Sequence, residues 1–126
     1  MAEILSQRVA VTTAGSAGSA VGSATSQPMH GFLLDVYLDY HASAPGATTN
    51  VVVAHVDPTL GNVLSISDNA TAGRYVPRET VQTIAGATSD PDGYDRIALN
   101  GNVTVSVSDS DALTDCVVAT IRWLSL

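Results

Sequence analysis

Hydrophobic and polar residues alternate without a break from Phe32 to His41. Phe32, Leu34, Val36, Leu38 and Tyr40 fall on one face, and Leu33, Asp35, Tyr37, Asp39 and His41 on the other. A period of two is that of a half-buried strand, not of a helix. Ala44-Pro45-Gly46 then turns the chain into residues 49–57. There Val51, Val52, Val53 and Val56 supply branched side chains that are stiff at χ1 and suit a pleated surface. Asp57-Pro58 opens a turn closed by Gly61-Asn62, and residues 63–67 read as a short strand with Leu64 and Ile66 inward.

The second half repeats this texture. Residues 68–73 form a polar connection, and Tyr75-Val76 reads as a short strand stopped by Pro77, which cannot donate to a ladder. Residues 83–95, with Gly86, Pro91 and Gly93, read as the longest loop. Asn100-Gly101, between Ile97-Ala98-Leu99 and residues 103–107, predicts a type I′ hairpin, whose two central residues need positive φ. Val103, Val105 and Val107 then face inward, and Thr104, Ser106 and Ser108 outward. After an acidic turn at 109–115, a last strand over 116–124 places Val117, Ala119, Ile121 and Trp123 on one face. Short strands, about eight of them, at turn spacings and without helical periodicity predict an all-β antiparallel sandwich or jelly roll.

The beginning of the chain has a different character. Residues 4–11 read as an edge strand through Val9 and Val11. Residues 14–26 hold only Ala, Gly, Ser, Thr and Val21. Such a segment is either a flexible linker or an extended arm laid along a partner, because small side chains let backbones approach closely. The expected division is an N-terminal strand and small-residue arm over residues 1–27, followed by a β-sandwich domain over residues 28–126.

Composition narrows the functional classes. With 126 residues, 45% of them apolar, the chain is long enough for one core without a metal or disulfide staple. It carries 12 acidic and 5 basic residues, all five of them arginine, for a net charge of −7, which argues against a phosphate-tracking surface and hence against nucleic acid. A single cysteine excludes an internal disulfide. No apolar run approaches the roughly 20 residues of a membrane span, and Met1-Ala2-Glu3 does not open a signal peptide.

Candidate chemistry is sparse. His30, His41 and His55 lack the partners of a zinc site, which needs three or four oriented ligands. Asp90-Pro91-Asp92-Gly93-Tyr94-Asp95 and Asp109-Ser110-Asp111 with Asp115 space carboxylates as calcium loops do. Neither ends in a bidentate glutamate, and both read as turns. Cys116, inside a strand, reads as a small buried hydrophobe. Nucleophile elbows, metalloprotease helices and phosphate loops do not occur, and only Glu3 and Glu79 are glutamates. The expectation is a protein that is not an enzyme, without catalytic residues, cofactor or metal. Its candidate contact residues are Val9, Val11, Val21 and Trp123.

Several stretches, in their order along the chain, resemble one family. They are the Thr-Thr-Ala-Gly-Ser-Ala-Gly-Ser-Ala segment at 12–20 and Gln27-Pro28-Met29-His30-Gly31 leading into Leu34-Asp35-Val36-Tyr37-Leu38-Asp39-Tyr40. Tyr75-Val76-Pro77-Arg78 and the strand at 103–107 follow. Together they resemble the decoration, or cement, proteins of tailed-bacteriophage heads. The resemblance implies a sandwich or jelly roll on the outer capsid surface of the virion, a homo-oligomer (trimer favoured, dimer possible) that staples neighbouring major capsid proteins. It implies synthesis in a host cytoplasm, no catalytic residue, no nucleic acid and no membrane. The alternative is a carbohydrate-binding or host-attachment module of a phage fibre, with Tyr37, Tyr75 and Tyr94 as sugar platforms.

Overall fold

The computed structural model describes residues 2–88 and 93–126. Among them eleven strands and no helix are found. In chain order these are β1 (Glu3–Val11), β2 (Ala20–Thr25), β3 (Met29–Tyr40), β4 (Asn50–His55), β5 (Asn62–Ile66) and β6 (Gly73–Tyr75). After them come β7 (Arg78–Thr80), β8 (Tyr94–Arg96), β9 (Ala98–Gly101), β10 (Val103–Ser110) and β11 (Val117–Ser125). Three antiparallel units result. The first sheet runs β1-β11-β3, with β6 and β9 sharing the far edge of β3. The second runs β2-β10-β4-β5, and β7-β8 form a separate ribbon.

The core lies between the two sheets and is made mostly of valine. Val9, Val11, Leu33, Val36, Leu38, Val117, Ala119, Ile121 and Trp123 enter from the first sheet, and Val51, Val53, Val103, Val105 and Val107 from the second. The inward faces expected for β10 and β11 are the observed ones. For β3 the expected face holds only from Val36 onward. On β11, Arg122 stands opposite Asp35 and Trp123 opposite Leu33, so Leu34 has no partner and forms a bulge. An unmatched residue resets the alternation. Leu33 is therefore buried and Phe32 points out, the reverse of the sequence reading.

The N-terminal segment is not an arm. β1 pairs with β11 along its whole length, from Glu3 opposite Ser125 to Val11 opposite Val117. Ala14 and Val21 then exchange two backbone hydrogen bonds of 3.0 Å, and β2 continues as an edge of the second sheet. A Cβ on Gly22 would come within 2.2 Å of the Thr12 carbonyl oxygen. The small residues serve a tight corner, where the chain steps from one sheet to the other. Thr13 locks that corner: its hydroxyl donates to the Asp111 carbonyl at 2.6 Å and accepts from the Leu113 N–H at 3.0 Å.

Asn100-Gly101 is also a corner and not a hairpin. β9 pairs with β3, whereas β10 pairs with β2 and β4. Only Gly101 takes a positive φ, 104°, so the I′ conformation is not formed. The expected loop at 83–95 runs into β8, which begins at Tyr94, while Asp90, Pro91 and Asp92 lie outside the described residues. Because β6 and β9 pair with β3 on either side of Leu34, the chain between them leaves the sheet at the bulge, and there it forms the β7-β8 ribbon.

Candidate interaction surface

Three of the four expected contact residues are taken up by the chain's own core. Val9, Val11 and Trp123 are buried between the sheets, since their positions on β1 and β11 are the inward ones. Val21 alone is open to solvent, at 58% exposure on the outward side of β2.

The residues that do face out on the first sheet line up in rows across its strands. Ile4 stands opposite Leu124, Leu124 opposite Phe32, and Phe32 opposite Ala98, so one apolar row crosses β1, β11, β3 and β9. Ile4 is 63% and Phe32 38% exposed. The next row is Ser6, Arg122 and Asp35. Beyond it lie Arg8, Thr120, Tyr37 and Arg74. Three of the chain's five arginines thus share this face.

Asp35 fixes the middle of it. Its carboxylate is 2% exposed, with Arg122 Nε donating to Oδ1 at 2.8 Å and Arg122 Nη2 also donating to Oδ2. Arg74 Nε donates to the same Oδ2 at 2.7 Å. These bonds, Arg122 first, outweigh the burial that opposes them and hold the Asp35 carboxyl down at about 2. The same contact raises Arg122. A carboxylate kept ionised by two guanidiniums is a poor proton donor or acceptor near neutrality, so the cluster acts as a strap across β11, β3 and β6.

The histidines and the acidic turns have local partners. His30 Nδ1 lies 3.1 Å from Asn100 Oδ1, His41 Nδ1 accepts from the Ser43 N–H at 3.0 Å, and His55 Nδ1 donates to the Gly61 carbonyl at 3.2 Å. Among the described residues no three His, Cys, Asp or Glu side chains converge. Asp109 Oδ2 accepts from Asn50 Nδ2 at 2.9 Å, and Asp111 Oδ1 accepts from the Gly18 N–H at 3.0 Å. These aspartates hold turns together. Cys116 is buried, with its sulfur 3.2 Å from Ser110 Oγ. Tyr37 and Tyr94 are exposed on β3 and β8, whereas the Tyr75 hydroxyl on β6 accepts from Asn69 Nδ2 at 2.9 Å. A concavity of about 390 Å³ lies on the ribbon, lined by Glu79, Thr80, Val81, Gln82 and Asp95.

Sequence reasoning missed Ile4, Phe32 and Leu124 as surface residues. The signal for two of them was present, because Ile4 is out of phase with Val9 and Val11, and Leu124 with Trp123. No protein-family model matches the chain, and comparison with curated proteins gives no match.

Proposed function

We propose that this chain is a non-enzymatic structural protein of a phage virion, a decoration protein that seats on the major capsid protein at the outer surface of the head. The observation that carries the reading is the outer face of the first sheet. An exposed apolar row, Ile4-Leu124-Phe32-Ala98, runs beside Arg8, Arg74 and Arg122 in a chain whose net charge is −7. Apolar surface flanked by exposed guanidiniums fits an acidic protein surface, since arginine combines a weakly hydrated charge with a planar donor fork. The Asp35 strap keeps that face in one shape before binding, which lowers the ordering cost of association. The resemblance to head decoration proteins supplies the identity of the partner.

Co-sedimentation with capsids lacking the protein tests this. The wild type should pellet with the capsids, and Ile4→Arg combined with Phe32→Glu should abolish binding while leaving the melting transition nearly unchanged. Capsid binding that survives this double substitution would remove the face from the reading. No binding by the folded wild type would remove the reading itself.

A further inference from the structure

We infer that the β7-β8 ribbon is a self-association element, and that its occupant is the ribbon of a second copy of this chain. The inference rests on the expectation of a homo-oligomer in the reading above, and it does not require the capsid. Its basis is a mismatch inside the ribbon. Arg78 stands directly opposite Arg96, and Glu79 directly opposite Asp95. Like charges facing each other across a ladder are unfavourable. A two-stranded ribbon is only marginally stable on its own. All six strand residues are exposed, and none belongs to the core.

Among the described residues no salt bridge offsets these pairs, and the Asp95 carboxylate accepts from the backbone N–H of its neighbour Arg96 at 2.7 Å. Among the described residues the ion pairs are Arg74–Asp35 and Arg122–Asp35, and neither involves the ribbon. Arg78 Nη1 donates to the Pro77 and Leu34 carbonyls, at 2.8 and 3.5 Å, and no carboxylate among the described residues forms a salt bridge with it. Because side chains alternate across a strand, the two pairs point to opposite sides. One side of the ribbon is basic, with Arg78 and Arg96. The other is acidic, with Glu79 and Asp95 lining the concavity of about 390 Å³. Val76, Ile84 and Tyr94, within or near the ribbon in sequence, are exposed apolar side chains.

Such a ribbon is complementary to itself. The basic side of one copy fits the acidic concavity of the next, and each contact relieves two repulsive pairs together. Because the two matching surfaces are opposite sides of one element, a two-fold dimer cannot satisfy both. The contact is heterologous, and it closes only as a ring of three or more copies.

Two charge reversals test this in solution. Arg78→Glu with Arg96→Glu makes both sides acidic, and Glu79→Arg with Asp95→Arg makes both basic. The wild type should show the mass of a discrete oligomer of at least three copies. Each double variant should keep the β signal in circular dichroism but associate about ten-fold more weakly or worse. Mixing the two variants in equal amounts should restore association between unlike copies, as alternating pairs even where an odd-membered ring cannot close, an outcome that misfolding would not give. A wild type that is monomeric or strictly dimeric, variants that keep the wild-type mass, or a mixture that stays dissociated would each overturn the inference. Capsid co-sedimentation of the same variants separates the two readings. Capsid binding without the ring leaves attachment standing, and a ring without capsid binding removes attachment alone.

Discussion

Asp35 and Arg122 face each other in the ladder of β3 and β11, and the guanidinium of one reaches both carboxylate oxygens of the other. The pair sits one residue from the Leu34 bulge, with Arg74 closing it from β6. It therefore ties three strands together where the ladder is interrupted.

That arrangement fixes a dependence on acid. The Asp35 carboxyl falls from an ordinary 3.8 to about 2 in the folded chain. A lowered value means stability present above about 3.8 and lost as pH drops through about 2. Asp35→Asn should cost roughly 1–3 kcal/mol at neutral pH, the range being discounted because both arginines are partly exposed. Thermal melts from pH 7 to pH 2 should show the two proteins converging at the acid end. A constant gap between them would refute the strap.

Tyr40 gives the opposite sign. Its hydroxyl is buried without a hydrogen-bond partner among the described residues, and burial, with Tyr75 nearby, pushes its ionisation up to about 12. A raised value means a contribution fully present below 10 and lost as pH rises towards 12. Tyr40→Phe removes a buried polar group that has no partner, so it should leave the melting temperature equal or higher. It should also remove the highest-pH step from the tyrosine absorbance titration.

Trp123 packs among the core side chains of both sheets. Trp123→Ala should cost about 3–5 kcal/mol as a large-to-small core change. Denaturant unfolding measures it. A loss below about 0.5 kcal/mol, the size of an ordinary surface substitution, would place the indole outside the core.

The corner between β1 and β2 is equally demanding. Gly22→Ala drives a methyl towards the Thr12 carbonyl and should cost roughly 1–3 kcal/mol. Deletion of residues 1–26 removes an edge strand from each sheet, along with Val9 and Val11. The truncated chain should lose its cooperative melting transition, and a sharp transition in it would restore the independent arm.

Legibility followed the regularity of the ladders. Val103, Val105 and Val107 lie in an unbroken ladder with β4, and Val117 through Trp123 in one with β1, so their own alternation fixed which side they bury. Leu34 could not be recognised as a bulge, because the residue it fails to match lies on β11. Asn100-Gly101 bends the chain equally well between paired strands or between sheets, and only the partners of β9 and β10 decide. Gly22 is small because of Thr12, although composition alone reads the segment as loose. For the surface, Ile4, Phe32, Leu124 and Ala98 are adjacent only through register, and the sequence holds them far apart. The repulsive pairs of the ribbon were hidden for the same reason.

The placement of β11 between β1 and β3 has a kinetic consequence. Glu3 meets Ser125 and Val11 meets Val117, so the middle strand of the first sheet comes last in the chain and its outer neighbour first. Loop-closure entropy is lost before such distant pairs return any free energy, which puts folding in the slow regime of milliseconds to seconds typical of sandwiches. A growing chain that stops before Val117 leaves β1 and one edge of β3 unpaired, with Val9, Val11, Val36 and Leu38 uncovered. Completion of the first sheet accordingly waits for residues 117–125.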